Sequence, residues 1–336
     1  MVEDILGRLA SGEDLSRAEM RSSIEMIMGG HWEDSHIATL LMALRHKGES
    51  VDEIAGAAEA MRHHMTQIPT QRNDVLDTCG TGGDASGTFN ISTAAALVAA
   101  AAGVPVAKHG NRAITSKTGS ADVLLELGVN IEASVEQVGQ CLDQVGICFC
   151  FAPLLHPSMK HVAAVRRSLG VPTIFNMLGP LCNPAGAPFQ LLGVGRPELR
   201  NLLADALGLL GTRRALVVCG DDGLDEVTLA GTTQVTVVEG KNRRELTWCP
   251  EDFGLQTAPL DSMIVETAQE SSAMIREILT GQHGAHRDIV VLNAAAALWT
   301  AGLDPSLVAC AERAACAIDD GRTTELLSKL AEKSRN

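Results

Sequence analysis

Up to about residue 66, the apolar positions of this chain recur at helical spacing. Beyond Pro69, short apolar runs at strand spacing alternate with helical ones. "EDILGRLASG" reads as a short amphipathic helix. "SRAEMRSSIEMIMGG" opens on a Ser16-x-x-Glu19 capping box and stops at Gly29-Gly30. "EDSHIATLLMALRHKG" and "SVDEIAGAAEAMRHHM" each begin near a Ser or Asp cap, and this region holds no strand candidate. After Pro69, "DVLDT" predicts a strand, "STAAALVAAAAG" a helix closed by Gly103, and "VPVAKHGNRA" a strand running into a loop. "SADVLLELG" predicts a short helix capped by Ser120, and "VNIEA", "GICFCFAP", "RRALVVCGDDG" and "QVTVVE" supply further strands. Such alternation implies a largely parallel sheet flanked by helices, with polar loops at the carboxyl ends of the strands, where α/β folds bind ligands. A second helical patch, "HPSMKHVAAVRRSLG", runs from Pro157 to Gly170 and is expected to pack back on the N-terminal helices. The predicted architecture is α/β. A small all-helical domain spans 1–70, joined by helices within about 157–185. A larger α/β domain with a mostly parallel central sheet takes 71–156 and 186–336.

Composition narrows the function. The 336 residues are 46% hydrophobic but only 3% aromatic, with no Tyr, so the core is built from Ala, Leu, Val and Ile. Base stacking is then an improbable mode of binding. A net charge of −14 argues against a nucleic-acid surface but leaves room for a small anion in one locally positive cleft. Nine cysteines without a repeated spacing do not form a disulfide framework. Cys148 and Cys150 read as alternate residues of an apolar strand rather than as a metal pair. The charged N-terminus is unlike a secretory signal and no run approaches a membrane span, so a cytoplasmic protein is expected.

Four stretches carry candidate chemistry. "CGTGGDASGTFNIST" (79–93) joins a strand to a helix, with Gly80, Gly82 and Gly83 removing side-chain bulk. A glycine turn with Ser92 or Thr93 as helix cap would need fewer glycines and no Asn90. Backbone N–H groups and a helix N-terminus facing a phosphate or pyrophosphate explain the whole pattern. The stretch matches neither the Walker A nor the G-x-G-x-x-G pattern. "KHGNRAITSKTGSAD" places Lys108, Arg112 and Lys117 after the next strand, beside the first loop. Two such loops suit a ligand with two phosphate groups, although a solvated basic loop would look alike. His109 is read as a structural hydrogen-bonder. In "GDDGLDEVT", Asp225 with Glu226 or Asp221 with Asp222 are candidate Mg2+ ligands. Arg166 or Arg167 on the 157–170 helix can fork onto a carboxylate, or simply serve the helix end.

"GTGGD" (80–84), "FNIST" (89–93), "KHGNRA" (108–113), "GSAD" (119–122), "HPSMKHVAAVRRSLG" (156–170), "TIFNMLGPLCNP" (173–184) and "GLDE" (223–226) together resemble the anthranilate phosphoribosyltransferases of tryptophan biosynthesis, in order and spacing, over essentially the whole chain. "DIVVLNAAAAL" (288–298) also looks like that family's C-terminal region. The resemblance implies transfer of a phosphoribosyl group from 5-phosphoribosyl diphosphate to anthranilate, the second step from chorismate. It implies that Gly80, Gly83, Asp84, Thr88, Asn90, Ser92, Thr93, Lys108 and Ser120 bind the phosphoribosyl diphosphate. Gly80, Asn111 and Arg166 would bind anthranilate, while Ser92, Asp225 and Glu226 hold Mg2+. It thus selects Arg166 over Arg167 and Asp225 over Asp221, and it implies a homodimer. The N-terminal helices are the candidate dimer surface, with ordinary internal packing as the alternative. Pro172 stands where the family often has Arg, which bears only on the pocket edge. A pyrimidine nucleoside phosphorylase would carry a further C-terminal domain, for which this chain is short, and "KHGNRA" fits the transferase better. A nucleic-acid-binding paralogue would show a basic face and damaged loops, neither of which is present.

Overall fold

The computed structural model describes residues 2–113 and 117–335. Four helices open the chain: α1 (Val2–Ala10), α2 (Arg17–Met28), α3 (Asp34–Lys47) and α4 (Val51–His64). The Ser16/Glu19 capping box starts α2 as its sequence predicts, and Ser50 with Glu53 forms a second box at α4. In contrast, α3 starts behind Glu33 with no side-chain cap. Then follow β1 (Leu76–Gly80), α5 (Ile91–Ala101), β2 (Val106–Gly110), α6 (Ser120–Glu126), α7 (Val135–Val145), β3 (Ile147–Phe151), α8 (Ala152–Leu155), α9 (Lys160–Leu169) and α10 (Phe175–Leu178). The chain continues through β4 (Phe189–Gly193), α11 (Pro197–Leu209), β5 (Arg214–Gly220), β6 (Thr233–Glu239) and β7 (Asn242–Trp248). It closes with α12 (Ala268–Leu279), α13 (Ala285–Thr300), α14 (Leu307–Asp319) and α15 (Arg322–Lys333).

The seven strands form one sheet in the order β3-β2-β1-β4-β5-β6-β7. The first five run parallel, and β6 and β7 add an antiparallel edge. Successive residues of a strand face opposite sides, and two hydrophobic clusters divide along that alternation. Leu191, Leu216 and Val218 join the cluster that holds α5 and α13. Leu192, Ala215, Val217 and Cys219 join the one that holds α1–α4, α11 and Val162, Val165, Ile174, Phe175 and Leu178. The alanine-rich α5 and α13 pack directly on each other, the small side chains permitting close approach. Helix α9 packs on α2 and α3, and α10 on α4.

Three sequence expectations need correction. "VNIEA" is not a strand: Val129, Ile131 and Ala133 are buried at period 2, but no neighbouring strand is available to them, and Asn130 bonds instead to Ser334 (2.9 and 3.1 Å). Ser120 is the first residue of α6 rather than its cap; Gly119 caps it, donating to the Asp122 carboxylate. Neither Ser92 nor Thr93 caps α5, whose N-cap is Asn90. The sheet also contains β4 and β7, which lie outside the predicted set.

Candidate active site

Strands β1, β2 and β4 all end on glycine at one edge of the sheet, and Gly80 lies in register with Gly193. A Cβ on Gly193 would collide with the Asp225 carbonyl, and one on Gly80 would lie 2.6 Å from Asp225 Oδ2. The absent side chains let the 221–227 segment cross the strand ends and bring its carboxylates to the first loop. That loop turns through the left-handed region at Gly82 (φ 65°), Gly83 (φ 80°), Ala85 (φ 56°) and Gly87 (φ 68°). For Ala85 this conformation is strained, a feature that tends to accompany ligand-binding loops.

A cleft of about 300 Å³ opens there. Gly80, Gly83, Asp84, Thr88, Asn90, Ser92, Lys108, Asn111, Ser120, Asp225 and Glu226 all line it. Two expected residues do not. Thr93 turns into the core, 1% exposed, where its hydroxyl has no hydrogen-bond partner. Arg166 reaches only the cleft edge, where its Nη2 donates to Oδ1 of Asn176, a lining residue, at 3.4 Å. Residues 114–116 of the second loop lie outside the described residues.

Lys108 lies under the cleft floor, 3% exposed, and donates to the Thr78 carbonyl (2.7 Å) and the Ser92 hydroxyl (3.2 Å). Burial pushes its pKa down, against the attraction of Asp77, Glu226 and Asp225. Fully buried Asp77 accepts the His109 backbone N–H at 3.1 Å. His109 faces His156 ring to ring, Nε2 to Nε2 at 3.2 Å. Burial lowers the two imidazoles to about 3 and about 4, with the His156 field also depressing His109. Both rings are neutral near pH 7, which fits a structural role for His109.

The open choice among carboxylates resolves spatially. Asp221 accepts bonds from Thr232 and Gln234, and Asp222 from Thr228 and the Leu224 N–H; both are exposed and point away from the cleft. Asp225 accepts the Gly82 N–H (3.1 Å) and Glu226 the Ser92 N–H (3.1 Å). Both residues are half-buried where they line the cleft. Burial, then the neighbouring Asp84, raises Asp225 to about 7; burial, then Asp225, raises Glu226 to about 8. Among the described residues no three His, Cys, Asp or Glu side chains converge as a metal cage. Mg2+ commonly takes one or two carboxylates together with substrate phosphates and water. Two carboxyls that burial holds back from ionising, beside the Ser92 hydroxyl, fit that habit.

These shifts have a measurable sign. The folded protein keeps protons on Asp225 and Glu226 up to about pH 7–8, whereas free carboxyls lose them near pH 4. The unfolded chain binds fewer protons across that window, so the two groups make stability fall as pH rises through it. A divalent cation must displace those protons and binds more tightly as pH rises. The gain in thermal midpoint on adding Mg2+ is therefore expected to be larger at about pH 8.5 than at about pH 6; equal gains would count against a metal at these carboxylates.

Several lining residues were not assigned roles from sequence. Asn176 lies within "TIFNMLGPLCNP", where only its motif was noted, and its Oδ1 also accepts the Thr173 N–H at 3.0 Å. Pro172 is exposed, and its carbonyl accepts Arg45 Nη1 at 2.7 Å.

Residues 72–324 match the family model described as the glycosyl transferase family, a/b domain, and residues 3–65 the helical bundle domain of the same family. The anthranilate phosphoribosyltransferase of Rhodopirellula baltica is 49% identical over 329 residues, 98% of this chain and 96% of that one. The crystal structure of the Thermus thermophilus anthranilate phosphoribosyltransferase superposes with a TM-score of 0.93 at 43% identity, covering 99% of this chain and all of that one. The Saccharomyces cerevisiae enzyme, solved in complex with PRPP and Mg, superposes with a TM-score of 0.90 at 27% identity, covering 99% and 98%.

Proposed function

This chain belongs to the anthranilate phosphoribosyltransferases, within the glycosyl transferase family, and on that premise we propose how its cleft carries out the reaction. The enzyme transfers the 5-phosphoribosyl group from 5-phosphoribosyl diphosphate to the amine of anthranilate, giving N-(5-phosphoribosyl)anthranilate and diphosphate, a step of tryptophan biosynthesis. The observation that carries the site assignment is the meeting, at the carboxyl ends of β1 and β2, of two polar loops, one buried lysine and two proton-holding carboxylates.

Gly80, Gly83, Asp84, Thr88, Asn90, Ser92, Thr93, Lys108 and Ser120 hold the phosphoribosyl diphosphate. Support comes from the left-handed loop backbone, the N-terminus of α5 and Lys108 beneath the floor; the Thr93 side chain faces the core and adds no support. Ser92, Asp225 and Glu226 hold Mg2+, which when bound neutralises charge on the departing diphosphate. Gly80, Asn111 and Arg166 hold anthranilate. No covalent nucleophile is required. The amine displaces diphosphate at ribose C1 as that carbon gains oxocarbenium character. Lys108 and the loop N–H groups stabilise the growing negative charge, while Asn111 and Arg166 keep the weakly basic amine in line.

Arg166 stands on α9, whose Val162 and Val165 join the hydrophobic cluster of α1–α4, whereas the loops belong to the sheet edge. We take 1–70 with helices of 157–185 as one domain, and 71–156 with 186–336 as the other. A homodimer through the N-terminal helices follows the family resemblance. No described helix is long and apolar enough to cross a membrane, and the described cysteines are all free, in keeping with a cytoplasmic enzyme. The test is loss of anthranilate fluorescence on adding the protein, dependent on both 5-phosphoribosyl diphosphate and Mg2+. Persistent fluorescence with folded protein would overturn the reading.

A further inference from the structure

Asn90 occupies an N-cap position without capping. An asparagine there ordinarily turns its side-chain oxygen back onto the first-turn N–H groups, but that bond is missing at α5. Its Oδ1 instead accepts two hydroxyls, from Thr118 at 2.8 Å and Ser271 at 3.0 Å. The Ser271 oxygen in turn accepts the Asn90 backbone N–H at 3.0 Å. An amide oxygen has two lone pairs, and here both are engaged. The Nδ2 group therefore turns to the other side with two N–H donors, and Asn90 is a lining residue of the cleft.

Ser271 lies 181 residues further along the chain, fully buried in the first turn of α12. The segment before it grips the same loop. Phe89 donates to the Met263 carbonyl (2.8 Å), Val265 donates to the Gly87 carbonyl (2.9 Å), and Thr88 pairs with Ile264 in an antiparallel bridge. Glu266 forms an ion pair with Lys117 of the second loop. The brace comes from the far end of the α/β part, outside every loop motif.

We propose that Ser271 is a positioning residue for the phosphoribosyl diphosphate: its hydroxyl fixes the Asn90 amide so that the Nδ2 hydrogens, not the carbonyl oxygen, meet phosphoryl oxygens. Those oxygens only accept, so an amide free to flip would present them with a repelling carbonyl. The inference rests on the assignment of Asn90 to this substrate. Ser271→Ala retains helix propensity. It is expected to raise the KM for phosphoribosyl diphosphate about tenfold, the net worth of one well-made hydrogen bond, with the anthranilate KM moving less than about twofold. Added to Asn90→Ala, the same change is expected to have a much smaller effect than alone, limited to the loss of the residue 90 backbone N–H bond to Ser271, because Ser271 acts mainly through the Asn90 side chain. Ser271→Cys, a near-isostere and weaker donor, gives an intermediate rise and serves if the alanine variant does not fold. Additive effects, or equal rises in both KM values, would overturn the proposal. A raised KM in Asn90→Ala beside an unchanged one in Ser271→Ala would overturn it alone. An unchanged KM in Asn90→Ala would overturn the assignment of Asn90 as well.

Discussion

Replacing Asp225 by Asn together with Glu226 by Gln is expected to lower kcat by about 10²–10³-fold, the scale of a lost electrostatic contact to developing charge, and to flatten the response to Mg2+. The amides nearly match the carboxyls in volume and keep an oxygen for the Gly82 and Ser92 N–H groups. The loop backbone therefore retains its bonds, and what disappears is the ability of the two groups to give up a proton and become negative when a cation arrives. Without the carboxylates, a divalent cation has only the Ser92 hydroxyl and the substrate's own oxygens, and diphosphate departs with its charge poorly neutralised. Asp221→Asn is the control. Asp221 bonds to Thr232 and Gln234 outside the cleft, so the Mg2+ titration should be unchanged. A double variant with wild-type metal dependence, or an Asp221 variant that loses it, would reverse the assignment.

The loops were legible in the sequence because each is one continuous stretch whose glycines and hydroxyls sit where a strand becomes a helix. Gly80 to Ser92 needs no long-range information to be recognised as a ligand loop, whereas Lys108 to Ser120 by itself looks equally like a solvated basic loop and gains its meaning from its place beside the first. The choice of Asp225 over Asp221 came from resemblance alone. Its physical cause is that Gly80 and Gly193 clear a path for residue 225, whereas a threonine-rich turn holds residue 221. The errors in the strands have physical causes too. "VNIEA" has strand periodicity and strand burial, but a ladder needs a neighbour and the sheet offers it none. Edge strand β7, mostly exposed along "NRRELTW", lacks the apolar alternation that marks a half-buried strand. Ser271 was invisible for another reason. It is one serine in an amphipathic helix, and only the tertiary fold brings it to Asn90.

Arg166→Ala is expected to raise the anthranilate KM by about 10²-fold, as removal of a charged hydrogen bond in a partly desolvated site predicts. The KM for phosphoribosyl diphosphate should change by less than about threefold. Arg166 is half-buried, and among the described residues no carboxylate pairs with it. Its neighbours are Asn176 Oδ1 at 3.4 Å and the Phe175 ring at 5.5 Å, and burial pushes its pKa down. A guanidinium kept from water without an anion is unfavourable in the free enzyme. The substrate's carboxylate supplies the missing partner, so binding recovers what folding leaves unsatisfied. Arg167, one residue on, is exposed and carries no such cost. Arg167→Ala should leave both KM values alone, and Arg166→Lys should recover only part of the loss, since an ammonium lacks the planar fork. The same reasoning makes Arg166→Ala at least as stable to heat as the wild type, because it removes an unpaired cation and no ion pair. Equal rises in both KM values together with a lowered thermal midpoint would mean that Arg166 holds the helices together rather than the acceptor.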